Sequence, residues 1–472
     1  MSTPLAPYAH PLGDAVQIDS HGVRVVNADV LTSARMDQLV HDAVFGDDDA
    51  KAHARWLIWE IGQRVGVKPA SVFSLYHARG QGAADLRGFT VPAINVRGLA
   101  YDTARSVFRT AKRLDVGAFI LEIARSEIGY TDQRPAEYTA VVLGAALREG
   151  FRGPVFIQGD HFQINAKKFA TDPTTEVNAV KQLAREAVAA GFFQIDVDTS
   201  TLVDISRPTI PEQQRLNYEV SADIAALVRS IEPAGVTISL GGEIGEVGGH
   251  NSTPDELIAY MDGFDALHGT KTPGLAKISV QTGTSHGGVV LPDGSIADVK
   301  LDLDVLTTLS KIAREKYGMA GAVQHGASTL PDSAFHHFRK TEACEIHLAT
   351  NFMNMLYDYL PEATRAAVYD WLRKNAADER KATDTDEQFF YKTRKKALGP
   401  FKRAFWDMPA DVREKLGAAY DAKFAFLFEQ LGVPGTTAVV AKYVKAPSLH
   451  RSSPDGSDGG IIAAPDDTDL SD

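Results

Sequence analysis

The strongest constraint on the fold is a rhythm that begins near Phe89. Apolar runs of about six residues alternate with amphipathic segments of about 12–20 residues, the pattern of successive βαβ units. The runs read as strands lie at 91–96, 118–124, 155–158, 193–198, 236–240, 277–281, 321–324 and 345–349. Between them, Ala104, Val107, Phe108 and Ala111 share one face of a helix, as do Val180, Leu183, Ala184 and Val188. Thr253-Pro254-Asp255-Glu256 reads as a helix start, with Thr as N-cap and Pro at the first helical position. Strand–helix pairs in this number, over roughly 250 residues, predict an α/β fold of the (β/α)8 TIM-barrel kind. A doubly wound open sheet is the runner-up. It would place a glycine-rich phosphate fingerprint after its first strand, where this chain has Asn95-Val96-Arg97-Gly98.

The flanks follow a different pattern. Residues 1–88 are expected to form an N-terminal helical preface to a barrel over 89–378. Residues 379–445 read as a C-terminal helical extension, and 446–472, rich in Ser, Pro, Asp and Gly, as a disordered acidic tail. With 472 residues and 44% hydrophobic content, the chain can bury one large core with appendages, or form two domains. Its 49 basic and 61 acidic residues give a net charge of −12, which argues against a nucleic-acid partner. No apolar run is long enough to span a membrane. Residues 1–20 lack a basic segment followed by an apolar one, so no secretory signal is expected. The single cysteine, Cys344, excludes an internal disulfide framework and fits a cytoplasmic location. Any transition-metal site must then be built from histidine and carboxylate.

A barrel gathers the carboxyl ends of its strands at one mouth, the usual seat of catalysis. The third strand delivers Asp160 and His161, the fourth Asp198, and the fifth Glu243, with Glu246 and His250 beyond it. The sixth runs into His286 and the seventh into His325, while the eighth ends on Thr350 and Asn351. Each of these also fits a capping acid or a core histidine. Three imidazoles, His161, His286 and His325, arriving at matching strand ends suit zinc or another divalent cation with an open position. Gly283, Gly287, Gly288 and Gly326 mark the same rim, where backbone N–H groups can turn toward an anion or simply make tight turns. Ser285 and Ser328 can add hydroxyl donors. His347 lies inside the eighth strand and points either into the barrel or into the helical layer. Lys277 stands at the amino end of its strand, away from the rim, which disfavours a Schiff-base role.

At these residues the chain resembles the class II, metal-dependent fructose-bisphosphate aldolases. The resemblance is carried by P-A-I-N-V at 92–96, G-D-H at 159–161, D-T-S at 198–200, G-G-E-I-G-x-x-G-G at 241–249, G-T-S-H-G at 283–287 and H-G-A-S at 325–328. It implies that His161, His286 and His325 are metal ligands with Glu243 beside them. Asp160 becomes the acid/base at the substrate C4 hydroxyl. Gly287, Gly326 and Ser328 become phosphate contacts, Asn95 and Asp198 active-site polar positions, and Thr350 and Asn351 substrate contacts. The implied reaction is reversible cleavage of a ketose bisphosphate, such as fructose 1,6-bisphosphate in glycolysis, by a homo-oligomer. The chain departs from the family pattern in several places, among them Ala124, where a serine usually follows the second strand. His250 and Asn251 stand where an acidic pair is usual, and the last strand reads E-I-H-L-A-T-N in place of K-I-N-I-D-T-D. These departures keep open a zinc aldolase for another ketose, or a non-catalytic barrel that binds sugar phosphates.

Overall fold

A computed structural model describes residues 8–19, 22–245, 250–283, 291 and 301–455. Strands β1 (Val16–Asp19) and β2 (Gly22–Val25) form an antiparallel hairpin near the start of the chain. No regular pattern is legible there in the sequence. The short β3 (Val67–Pro69) follows two helices, Ala34–Phe45 and Asp48–Val65, separated at Gly46 and Asp47. Asp47 caps the second helix, its side chain accepting from the N–H of Ala50 at 2.9 Å.

The barrel strands are β4 (Val91–Asn95), β5 (Ile120–Ala124), β6 (Gly153–Gln163), β7 (Gln194–Asp198), β8 (Ser239–Glu243), β9 (Lys277–Val280), β10 (Ala322–Gln324) and β11 (Glu345–Leu348). Every neighbouring pair is parallel, and β11 pairs with β4 while β6 pairs with β7, so the sheet closes on itself. The chain therefore folds as a (β/α)8 barrel. β3 joins β6 from outside, Val67 opposite Gly153.

One expected boundary is wrong in an informative way. Gly159 does not end the third barrel strand; β6 runs on to Gln163. It does so through a bulge against β7, where Gly159 pairs with Ile195 and Phe162 with Val197, leaving two residues opposite one. Those two are Asp160 and His161. Simple alternation would send them to opposite faces of the sheet. His161 sits at φ +39°, a left-handed conformation that a non-glycine residue rarely holds without a reason in its surroundings. A Cβ on Gly159 would lie 2.4 Å from the Phe162 ring, so only glycine lets that ring fold back under the bulge.

The amino-terminal preface reaches into the barrel. The helix Phe73–Gly80 covers the mouth at which the strands begin. Its Tyr76 is buried and donates to Glu345 Oε2 at 2.5 Å, and the N–H of Val72 donates to Gln194 Oε1 at 3.0 Å. Arg79 fastens the helix through the carbonyls of Phe89, Glu342 and Ala343. At the other end of the chain, residues 446–455 lie along the helix Asp48–Val65. Trp56 and Trp59 donate their indole N–H groups to the carbonyls of Arg451 and Leu449.

Candidate active site

The strand ends deliver their side chains to one place. The rings of His161 and His325 lie 4.3 Å apart between centroids, and those of His325 and His347 4.1 Å apart. His161 Nδ1 is 2.9 Å from Asp198 Oδ2 and 3.2 Å from Glu243 Oε2, and its Nε2 is 3.8 Å from Asp160 Oδ1. His325 Nε2 is 2.8 Å from Ser279 Oγ. The sequence thus placed Asp160, His161, Asp198, Glu243 and His325 at one mouth, and the structure brings them together.

Asp160 is held on both oxygens. Asn95 Nδ2 donates to its Oδ2 at 2.9 Å, and His347 Nδ1 donates to its Oδ1 at 3.0 Å. Asn95 also donates to Glu127 Oε2 at 2.9 Å, and the same carboxylate oxygen accepts from the N–H of Ala124. Burial pushes the Asp160 carboxyl up, yet the neighbouring His161 and His347 overcome this and hold it well below the ordinary range. His161 is driven the other way. Burial alone would lower it, but Asp160, Glu243 and Asp198 raise it well above an ordinary imidazole. Burial, with Asp198 alongside, pushes Glu243 up to about 7.

Of the remaining expected contacts, those among the described residues have different engagements. Gly326 adopts a left-handed φ of +67° that turns the chain after β10. Ser328 Oγ accepts from the N–H of Ala349, so it ties this turn to the end of β11. Thr350 is buried at the start of the helix Thr350–Tyr359, with Asn351 next to it and half-buried. His286, Gly287 and Glu246 lie outside the described residues. His250 is exposed, with Nδ1 2.8 Å from its neighbour's carbonyl, that of Asn251.

Below the mouth, sequence reasoning missed a second layer. Glu122, Gln158, Asp196, Lys277, Glu345 and His347 fill the barrel interior, all buried. Lys277 Nζ donates to Gln158 Oε1 at 2.8 Å, to Asp196 Oδ2 at 2.9 Å and to Glu345 Oε1. Gln158 Nε2 donates to Glu122 Oε2 at 2.6 Å. Burial would lower the Lys277 ammonium, but Asp196 and Glu345 raise it above its ordinary range. A lysine held protonated by two carboxylates is a poor Schiff-base nucleophile. The layer needs Gly241. A Cβ there would sit 2.3 Å from Asp196 Oδ1 and 2.9 Å from Lys277 Cε. Gly241→Ala is therefore expected to lower stability by about 1–3 kcal/mol, read from urea midpoints. An unchanged midpoint would mean that the layer repacks freely.

The donor set suits a divalent cation. Asp160, His161 and His325 present ligand atoms within 4.8 Å of one another, and so do His161, Asp198 and Glu243. Nitrogen and carboxylate donors of this kind are what such ions take. A carboxylate on the far nitrogen of a ligating imidazole fixes the ring and its tautomer, and Asp198 stands on Nδ1 of His161.

Comparison with known proteins agrees with the fold. A fructuronate-tagaturonate epimerase from Cohnella laeviribosi is 12% identical, with a TM-score of 0.54 over 73% of this chain and 82% of its own. A probable tagatose 6 phosphate kinase from Sinorhizobium meliloti is 17% identical, with a TM-score of 0.52 over 75% of this chain and 99% of its own. At such identities the likeness speaks for the architecture alone. No curated protein matches the chain. The family model for fructose-bisphosphate aldolase class-II matches residues 81–404, and the chain belongs to that family of carbon–carbon lyases.

Proposed function

We propose that the chain is a divalent-metal-dependent aldolase that reversibly cleaves a ketose bisphosphate, fructose 1,6-bisphosphate, to dihydroxyacetone phosphate and an aldehyde phosphate. One observation supports this reading: a buried Asp160 stands 3.8 Å from His161 Nε2, and the His325 ring lies against that of His161. His161 and His325 hold the cation, joined by His286 and Glu243. When bound, the ion supplies Lewis-acid polarisation of the substrate carbonyl. Asp160 takes the proton of the substrate C4 hydroxyl as the carbon–carbon bond breaks and returns it on condensation. Asn95 orients Asp160, and Asp198 orients His161. Gly326 and Ser328 take the phosphate, a role the family resemblance also gives to Gly287, and Thr350 and Asn351 contact the substrate. The buried Cys344 fits a reducing, cytoplasmic compartment.

A second reading keeps the metal and changes the ketose. His347 and Ala349 occupy β11 and its end, where the family pattern carries Asn and Asp, so the contacts to substrate hydroxyls differ there. A coupled assay over a panel of ketose phosphates, with and without chelator, separates the two. Cleavage of fructose 1,6-bisphosphate that chelator abolishes supports the first. Metal content tests the site itself. The parent should hold about one divalent ion per chain, and His325→Ala close to none, by elemental analysis. Equal metal in both would remove His325 from the ligand set.

A further inference from the structure

We propose that His347 is the positioning residue of the acid/base, clamping the Asp160 carboxylate and tying it to the ion network inside the barrel. The inference rests on the reading of Asp160 given above and adds His347, which stands where the family pattern carries Asn. His347 donates from both nitrogens. Nδ1 lies 3.0 Å from Asp160 Oδ1 and 3.2 Å from Glu122 Oε1. Nε2 lies 2.7 Å from Glu345 Oε1. With carboxylates on both sides, each nitrogen carries a proton, and the ring has no acceptor role to play. It cannot take a proton from substrate without first giving one up, so its influence passes through Asp160.

The geometry leaves the ring little freedom. It is buried, and the His325 ring packs on it at 4.1 Å between centroids. Glu345, its lower partner, is itself fixed by Lys277 and by Tyr76. A chain of contacts therefore runs from the floor helix through Tyr76, Glu345 and His347 to Asp160 at the mouth. Asp160 Oδ1 faces His347, and Oδ2 faces Asn95. A carboxylate held at both oxygens keeps one orientation toward the substrate hydroxyl, which is what a general base in a rigid site requires.

Two variants split the two ends of the clamp. In His347→Asn the amide nitrogen takes the place of Nδ1 and keeps the bond to Asp160. In His347→Gln it takes the place of Nε2 and keeps the bond to Glu345. The proposal expects His347→Asn to hold kcat within a few-fold of the parent. His347→Gln should lose about 10–100-fold in kcat, with KM and metal content unchanged. In an Asp160→Ala background His347→Gln should add no further loss, because the two act as one unit. Equal kcat in the two variants, or the full loss repeated without Asp160, would overturn it. If the parent cleaves no ketose phosphate, the functional reading falls, and the clamp is then judged without turnover. In 15N-histidine-labelled protein, Asp160→Ala should move the Nδ1–H signal of His347 while the Nε2–H signal stays. An unmoved Nδ1–H signal overturns the clamp.

Discussion

Asp160→Ala is expected to lower the rate of ketose bisphosphate cleavage by about 10²–10⁴-fold while the protein keeps its divalent metal. The expectation follows from what surrounds the carboxylate. It is buried, accepts from Asn95 and His347, and is held ionised by the imidazoles beside it. A group kept charged inside a barrel at this cost has a use for its charge. Alanine removes the proposed base and spares His325 and the Asp198 and Glu243 partners of His161. The loss should fall on kcat, with KM within a few-fold. Steady-state kinetics and metal analysis on one preparation check both halves. Unchanged turnover would take Asp160 out of the mechanism, and loss of metal would make it a ligand instead.

The largest effect on stability is expected at Lys277. Lys277→Met keeps most of the side-chain volume and removes the ammonium. Asp196 and Glu345 then lose the ammonium that bridges them and are left to share the single His347 imidazole, both out of water. Breaking a buried pair by removing one partner costs about 3–5 kcal/mol, because the charge left behind is uncompensated. Burial already pushes Asp196 up to about 6 with the lysine in place. Without Lys277, taking up a proton is the cheaper course for one of the two acids. Urea denaturation should show the loss, and Lys277→Met combined with Glu345→Gln should recover part of it. A single variant as stable as the parent would mean that water reaches the layer. Borohydride with substrate should leave the lysine unmodified, since no imine forms on an ammonium locked in this way.

Much of this was legible in the sequence, for physical reasons that can be named. The strand rhythm fixes the barrel because each apolar run must be covered on both faces. The barrel in turn fixes which residues meet, since strand ends share a mouth. Asp160, His161, Asp198, Glu243 and His325 are therefore readable together, and Asn95 joins them only through the family resemblance. The β6 bulge was not. It depends on a one-residue mismatch with a strand more than 30 residues away, and only the adjacent Asp-His pair hinted at it. The interior layer does leave a signal in the sequence. Glu122, Gln158, Asp196, Lys277 and Glu345 are polar residues set within or beside apolar strand runs. Such residues survive in a core only with partners, so their recurrence at equivalent strand depth implies a network. The β1–β2 hairpin was missed because only Val16 and Val23 of its residues are buried.

Tyr76 makes the preface a stopper. Were the first 88 residues trimmed away, bulk solvent would flood the lower end of the cylinder and hydrate Glu345 and Lys277. The dry interior that sharpens every charge above it would be gone. What looks from the sequence like an attached leader is thus a cork whose removal would blunt the chemistry at the opposite opening.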